Sequence, residues 1–251
     1  MSMTEEDLLM GLMSGINATA SMKLEAPEAL RNKWLEKRRG FFTASEFYKL
    51  MTVMGKADTL PTGAITYVHK KVAESLTRFD ADDFVTKAMQ WGIDNELGAI
   101  DAYTAKTGNA VLHTGDSQRF IKYTHYLALV DQVGGTPDGI VCDSSGRKIG
   151  GIEIKCPESE THLTNLLNIK TASDLADRYP NYYWQCQGLM MISGLDNWDF
   201  VSFDHRFNDA DKQLLIVPIA RNDSAILKLT NRLLLAVEMK IAILENLTNS
   251  G

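Results

Sequence analysis

The sequence lacks several features that would assign it to common classes of protein. Its three cysteines, Cys142, Cys156 and Cys186, are far apart and form no Cys-x-x-Cys pair, so neither a disulfide framework nor a zinc knuckle is expected. No apolar run approaches the roughly 20 residues that a membrane span needs. The acidic first residues, MSMTEED, lack the basic flank and the apolar core of a signal peptide. We therefore expect a cytoplasmic protein with no membrane contact.

Positive charge is also scarce in this chain. Lysine and arginine number 26 against 32 aspartate and glutamate, which gives a net charge of -6 at pH 7. This balance argues against a protein that coats nucleic acid through bulk positive charge. Any contact with nucleic acid would require basic side chains on one surface, apart from the acidic excess. A carboxylate cluster that binds a metal ion would add to the acidic count.

The remaining composition is that of an ordinary folded domain. The chain has 251 residues, of which 45% are hydrophobic and 23% are charged, and these values are typical of globular proteins. We interpret residues 1–251 as a single domain in three parts. Residues 1–108 would be mainly helical, residues 109–220 would form a sheet with helices, and residues 221–251 would form a C-terminal helix.

The hydrophobic periodicity predicts the order of helices and strands. Helices are expected over 27–38, 62–76, 83–107, 160–167, 177–192 and 223–247, with a short peripheral helix that ends at Gly15 and a capping box at 43–46. Strands are expected over 111–114, 121–123, 128–133, 138–142, 148–155, 198–204 and 213–218. This order predicts an α/β (α+β) domain, in which a central mixed β-sheet is flanked by helices and an N-terminal helical region precedes it.

Two carboxylates and a lysine form the most informative pattern. The polar stretch DSSGRK at 143–148 separates two predicted strands and suits a hairpin turn. If the turn is centred between its third and fourth residues, Asp138 lies opposite Glu153, with Cβ atoms about 4.5–5.5 Å apart. Lys155 projects from the same face as Glu153, because side chains alternate along a strand. The spacing therefore predicts that these three side chains meet.

The chemistry of this trio favours metal-assisted hydrolysis of a phosphodiester. Two carboxylates so close together repel each other unless a cation lies between them. Their oxygens suit Mg²⁺ or Mn²⁺, and a lysine beside the ion can orient or deprotonate the attacking water. Each fragment alone has a structural interpretation: TPDG is a good β-turn sequence, and Glu-x-Lys on a strand is common on a solvated face.

Further segments stand around the trio in a fixed order. They are RRGFFTAS at 38–45, WGIDNE at 91–96, TPDG at 136–139, EIKCP at 153–157 and YWQCQ at 183–187. This series resembles the family of phage lambda exonuclease and the YqaJ-type viral recombinases, within the PD-(D/E)xK nuclease superfamily and its restriction-endonuclease-like core. The similarity extends from residue 38 to about residue 191, which is well over half of the chain.

The resemblance implies a single nuclease domain with a defined activity. It would be an Mg²⁺-dependent exonuclease, for which Mn²⁺ can substitute, that degrades one strand of linear double-stranded DNA from its 5′ end. The 3′ single-stranded overhang would serve recombination by annealing. The implied partners are double-stranded DNA ends, a single-strand annealing protein and copies of the chain in a homotrimeric ring, within the bacterial host of a phage or prophage. Two alternatives stay open: an endonuclease of restriction or junction-resolving type, and a module that binds DNA ends without cutting.

Carried over residue by residue, the resemblance assigns a catalytic centre. Asp138, Glu153 and the backbone carbonyl of Ile154 would bind the metal ion. Lys155 would activate or position the water. Glu96 would be the outlying acidic residue of the site and a candidate ligand for a second metal; the number of metals stays open.

The resemblance also assigns a pocket for the 5′ phosphate. Its members are Arg38, Ser45, Thr136 and Gln187. An arginine can bind a phosphate through two hydrogen bonds, and Ser45 lies near a helix N-terminus, where free N–H groups favour anions. Arg39 stays an alternative to Arg38. Gln185 and Gln187 lie on one predicted helix and cannot point the same way, and we favour Gln187.

Overall fold

The fold is given by a computed structural model that describes residues 27–51, 59–78, 86–113 and 120–249. The short helix expected to end at Gly15 lies outside these residues. Within them, no helix combines the length and the apolar character that crossing a membrane requires.

Seven α-helices occur in the described part of the chain. They are α1 Pro27–Arg38, α2 Thr62–Leu76, α3 Lys87–Thr107, α4 Ser159–Asn168, α5 Ala172–Arg178, α6 Pro180–Ser193 and α7 Asp223–Asn249. A 3₁₀ helix, Ala44–Leu50, lies between α1 and α2. The bounds of α1 and α2 agree with the predicted ones, and α4 and α7 agree within two residues at each end.

Eight strands form two mixed sheets in the same ranges. The larger sheet has the order β2-β5-β6-β7-β8, with β2 Ala110–His113, β5 Gly139–Cys142, β6 Lys148–Lys155, β7 Asn197–Phe203 and β8 Leu214–Ala220. Strand β6 is antiparallel to β5 and parallel to β7. The smaller sheet has the order β1-β4-β3, with β1 Phe42–Thr43, β3 Ile121–Lys122 and β4 Val133–Gly135. The predicted α/β (α+β) fold, a central mixed β-sheet flanked by helices, is therefore confirmed.

Strand β6 lies in the middle of the larger sheet and is covered on both faces. Ile152 and Ile154 pack with Tyr103 of α3 in one apolar cluster. Because side chains alternate along a strand, Glu153 and Lys155 project to the opposite face, which is the face covered by α6. The larger core on that side includes Phe42, Phe47, Leu129, Leu189, Trp198, Phe200, Leu229 and Leu233. A charged pair is thus placed between two layers of the fold.

Two predicted elements are wrong because one residue interrupts the pattern. Residues 128–133 do not form a strand: a 3₁₀ turn, Leu127–Leu129, is followed by Asp131 with φ 58°, and β4 begins only at Val133. A left-handed residue cannot continue an extended strand. The predicted helix over 177–192 is divided into α5 and α6, because Pro180 disfavours the helical conformation of Tyr179, which has φ -134° and ψ 70°.

Two predicted helix starts also differ. Helix α3 begins at Lys87, where the hydroxyl of Thr86 accepts a hydrogen bond from the N–H of Met89 at 3.2 Å; the expected start at 83 lies outside the described residues. The capping box expected at 43–46 does not form in the described chain. The carboxylate of Glu46 instead binds three lysines, Lys49, Lys70 and Lys71.

Close packing of α6 on the 3₁₀ helix predicts that Gly188 tolerates no side chain. A Cβ atom at this position would overlap the buried ring of Phe47. We expect Gly188→Ala to lower the free energy of unfolding by about 1–3 kcal/mol. The matched control is Gly63→Ala in the first turn of α2, where an added Cβ would have no described atom within 4 Å. A gain of about 0.4–1 kcal/mol is expected there, because alanine lowers the entropy of the unfolded chain. Urea unfolding compares the two, and equal stabilities would contradict the assigned packing.

Candidate active site

The hairpin of β5 and β6 brings the predicted carboxylates together. Gly139 pairs with Ile152 and Ile140 with Gly151, which is the predicted register in this half of the hairpin. Nearer the turn Cys142 pairs with Lys148, and an irregularity next to Val141 takes up the one-residue difference. The next pair beyond Gly139 and Ile152 would join residues 138 and 153.

Asp138 is fixed at the end of this hairpin by the neighbouring strand. Its Oδ2 atom accepts a hydrogen bond of 2.7 Å from the backbone N–H of Ile154. This bond ties the residue to β6 next to Glu153. Burial raises the pKa of Asp138, although Lys155 and the Ile154 N–H act in the opposite direction.

Glu153 is a fully buried carboxylate with one oxygen left over. Its side chain is 0% exposed, and its Oε1 atom accepts a hydrogen bond from Nζ of Lys155. The Oε2 atom is buried and has no hydrogen-bond partner in the described structure. An unpaired buried oxygen of this kind lowers stability unless a further donor or a cation meets it.

The charges of the trio are strongly coupled. Burial, and then the nearby Asp138, raise the pKa of Glu153 to about 8, while Lys155 acts to lower it. Burial alone would lower the pKa of Lys155, but Glu153 and Asp138 outweigh burial and raise it well above its ordinary value. The lysine therefore stays positively charged at neutral pH.

Glu96 of α3 lines the same cavity as Asp138, Glu153 and Lys155. Its Oε1 atom lies 3.1 Å from Nε2 of His113 on β2, and its side chain is 24% exposed. Burial and then Asp138 raise the pKa of Glu96, and His113 acts in the opposite direction. His113 therefore contacts a predicted site residue, although no spacing of the histidines in the sequence indicated this.

Hydroxyl groups and a guanidinium form a second cluster beside the carboxylates. Nη2 of Arg38 lies 3.2 Å from the hydroxyl oxygen of Thr43 and 3.3 Å from that of Ser45. The Arg38 guanidinium carbon is also 4.3 Å from the ring centroid of Trp34. The indole N–H of Trp34 donates a hydrogen bond of 2.9 Å to the hydroxyl oxygen of Thr136. Helix α1 thus contributes Arg38 to the predicted phosphate pocket and, through Trp34, contacts Thr136 of the same pocket.

Gln187, which the sequence analysis favoured over Gln185 for the phosphate pocket, is not among the residues that line the cavity. The side chain of Gln187 is fully buried, where it donates to the carbonyl of Ala220 at 3.0 Å and accepts from the N–H of Asn222 at 2.9 Å. It therefore ties α6 to the chain between β8 and α7. Gln185, two residues earlier and on another side of α6, lines the cavity instead.

Arg38 and Arg39, which the sequence left as alternatives, take different positions. Arg38 lines the cavity. Arg39 turns away from it, and its Nε atom donates to the carbonyl of Glu74 near the end of α2 at 2.5 Å. Of these two arginines, the geometry therefore places Arg38, and not Arg39, at the cavity.

A single cavity of about 600 Å³ contains these groups. Eight of the nine predicted site residues line it, and Gln187 does not. Its walls include Arg38, Ser45, Glu96, Thr136, Asp138, Glu153, Ile154 and Lys155. The sequence reasoning did not select Trp34, Tyr182 or Gln185, which line it as well. The spacing of three residues between Tyr182 and Gln185 could have indicated a shared helix face.

A divalent cation would find two carboxylates and a backbone carbonyl here. Asp138, Glu153 and the carbonyl of Ile154 are the groups that could hold it, and the unpaired Glu153 Oε2 atom fits such a role. Among the described residues, no three His, Cys, Asp or Glu side chains are arranged around one potential metal position. Mg²⁺ does not require three, because it typically takes one or two carboxylates together with water and substrate oxygens.

Fold and family define a class of protein, a nuclease that acts on DNA. The chain belongs to the YqaJ-like viral recombinase domain family, whose model matches residues 33–196, more than half of the chain. A comparison with curated protein sequences gave no match.

Solved structures share this fold. The alkaline exonuclease LHK-Exo from Laribacter hongkongensis is 28% identical with a TM-score of 0.69, over 87% of this chain and 96% of that chain. LHK-Exo in complex with dAMP has the same identity and coverage, with a TM-score of 0.70. A phage related exonuclease from Haemophilus somnus 129PT is 19% identical with a TM-score of 0.59, over 82% of this chain and 96% of that chain, and supports the fold alone.

The raised pKa of Glu153 predicts a pH dependence of stability in metal-free protein. In the unfolded chain a glutamate loses its proton near pH of about 4.3, whereas in the folded state Glu153 keeps it up to a pH of about 8. The unfolded state therefore binds fewer protons in this window, and the free energy of unfolding should fall as the pH rises through it. Glu153→Gln, which cannot ionise, should flatten this slope. Urea unfolding in EDTA at several pH values measures it, with Glu160→Gln on α4 as the control; an unchanged slope in Glu153→Gln would contradict the assignment.

Proposed function

We propose that the chain is an Mg²⁺-dependent 5′→3′ exonuclease that degrades one strand of linear double-stranded DNA. Its product would be a 3′ single-stranded overhang for annealing recombination. The observation that carries this proposal is that Asp138, Glu153 and Lys155 share one cavity with Arg38 and Ser45. The family and the similarity to LHK-Exo, an alkaline exonuclease, support the same activity. That relative has also been solved in complex with dAMP.

Asp138, Glu153 and the carbonyl of Ile154 are proposed to hold Mg²⁺, for which Mn²⁺ can substitute because both prefer oxygen ligands. Support comes from the unpaired buried oxygen of Glu153 and from the hydrogen bond that fixes Asp138 beside it. Bound there, the cation would polarise the scissile phosphate and favour ionisation of a water molecule. Glu96 is the candidate ligand for a second metal ion.

Lys155 is proposed to position the attacking water and to offset charge on the scissile phosphate. Its raised pKa keeps it protonated, so it can donate hydrogen bonds but has little tendency to accept a proton. This favours a role in orientation and charge over a role as a general base. Its contact with Glu153 places the ammonium at the edge of the carboxylate pair.

The 5′ phosphate is proposed to bind beside this centre, at Arg38, Ser45 and Thr136. The Thr136 hydroxyl oxygen accepts a hydrogen bond from Trp34, so the hydroxyl group can donate its own hydrogen to a phosphate oxygen. Gln185 replaces Gln187 in this proposal, because its side chain lines the cavity. A phosphate held here would fix the number of nucleotides between the DNA end and the catalytic carboxylates.

A homotrimeric ring is part of the proposal, since a ring encloses DNA and needs few basic groups. Helix α1 supplies some of them: Arg31 and Arg38 line the cavity, and Lys33 and Lys37 lie on the same helix. The chain would act on double-stranded DNA ends in the cytoplasm of a bacterial host, encoded by a phage or prophage. A single-strand annealing protein would receive the overhang.

The proposed activity predicts end-dependent, metal-dependent cleavage that requires Lys155. Linear duplex with 5′ phosphates should be degraded with Mg²⁺ but not with EDTA. A label at the 5′ end of a strand should be released before a label at the 3′ end of the same strand. Lys155→Ala should lower the rate by about 10²–10³-fold, as expected for the loss of one group that stabilises charge. The matched control is Lys148→Ala, at the exposed start of the same strand, which should cleave like wild type.

Closed circular duplex separates the alternatives in the same assay. Cleavage of the circle would favour an endonuclease of restriction or junction-resolving type. Binding of ends without any product, with or without Mg²⁺, would favour a non-cutting end-binding module. Wild-type turnover in Lys155→Ala would contradict the role assigned to that lysine.

The phosphate pocket predicts that Arg38 recognises the state of the DNA end. Arg38→Ala removes a charged hydrogen-bond donor, so KM for 5′-phosphorylated duplex should rise about 10- to 100-fold. KM for duplex with 5′ hydroxyl ends should change little. Lys37→Ala, one residue earlier and exposed on α1, is the control and should affect both substrates alike. An equal loss on both substrates in Arg38→Ala would show that Arg38 does not recognise the 5′ phosphate.

A further inference from the structure

Tyr182 of α6 lies against the ammonium group of Lys155. Nζ of Lys155 is 5.0 Å from the centroid of the Tyr182 ring, within the distance of about 6 Å at which a cation is attracted to an aromatic face. The ring also lines the cavity that contains the carboxylates. The Lys155 ammonium therefore has two attractive contacts, one with the Glu153 carboxylate and one with the Tyr182 ring.

The ring of Tyr182 is itself fixed by the larger sheet. It stacks on Phe200 of β7, with ring centroids 5.6 Å apart and an angle of 22° between the planes. Phe200 is fully buried and is the partner of Glu153 in the parallel pairing of β6 and β7. Ser202 is the partner of Lys155 in the same pairing. The aromatic stack thus stands on the sheet face that carries the glutamate and the lysine.

We propose that Tyr182 is a positioning residue, whose ring keeps the Lys155 ammonium at the cavity when the Glu153 carboxylate turns to another partner. This inference rests on the proposed function, in which Glu153 oxygens bind a cation. An ammonium held by Glu153 alone would follow that carboxylate. The ring attracts the ammonium through its quadrupole and competes for no proton, so the ammonium keeps its donors for water and phosphate.

Three variants test this role. Tyr182→Leu removes the aromatic face, and kcat on linear duplex should fall about 3- to 30-fold with KM unchanged. Tyr182→Phe keeps the face and should restore kcat. Tyr179→Leu is the matched control. The Tyr179 ring is tilted by 41° against that of Tyr182, with centroids 5.3 Å apart, so this variant loses a neighbouring ring but not the one that contacts Lys155. Its kcat should stay at the wild-type value.

A spectroscopic measurement in metal-free protein tests the contact without activity. A ring face displaces the resonances of nearby protons upfield, so the ε-methylene of Lys155 should show this displacement in wild type and Tyr182→Phe. Tyr182→Leu should lose it. Wild-type kcat in Tyr182→Leu, failure of Tyr182→Phe to restore it, or an equal loss in Tyr179→Leu would overturn the inference. If wild type cleaved nothing, the proposed function would fail, and the resonance of Lys155 would still decide whether Tyr182 holds it.

Discussion

The burial of the Glu153 carboxylate between two layers of the fold is the constraint on which the rest of the structure depends. A carboxylate without water requires compensating groups, and the fold supplies one of them two residues away on the same strand, as Lys155. The Asp138 carboxylate beside it needs its own donor, which is the Ile154 N–H. These contacts pair Oε1 of Glu153 and Oδ2 of Asp138. The Oε2 atom of Glu153 is buried and has no hydrogen-bond partner in the described structure, so a cation bound at this position would be stabilised.

The part of the site that lies on one hairpin could be predicted from the sequence, because its geometry is local. Alternation along β6 places Glu153 and Lys155 on one face. The pairing of β5 with β6 has the predicted register at Gly139 and Ile140, although the irregularity next to Val141 that restores it beyond the turn was not predicted. The fold class followed from the same periodicities. The pattern failed where a single backbone conformation overrides it, as at Asp131 with its left-handed φ and at Tyr179 before Pro180. Neither can be read from the spacing of apolar residues.

The outer part of the site depends on contacts between distant segments, and the sequence alone could not provide them. Trp34 and Thr136 are 102 residues apart and meet only because α1 packs beside the end of β4. The choice between Gln185 and Gln187 depends on which side of α6 faces the sheet. Residues two apart on a helix point in widely different directions, and Gln187 is used to bind the backbone at the end of β8. His113 likewise reaches Glu96 from another element.

The position of charge explains how an acidic chain can serve a proposed role on DNA. Positive groups lie close to the carboxylates, because Arg31 and Arg38 of α1 and Lys155 of β6 line the same cavity. Their effect exceeds that of the net charge, because fields are stronger near a partly buried site than across a solvated surface. The carboxylates would repel the same phosphate unless a cation neutralises them. Binding of metal and of substrate are therefore expected to reinforce each other. A lysine that contacts the Tyr182 ring as well as Glu153 would keep its charge at the cavity while the Glu153 carboxylate turns to the cation.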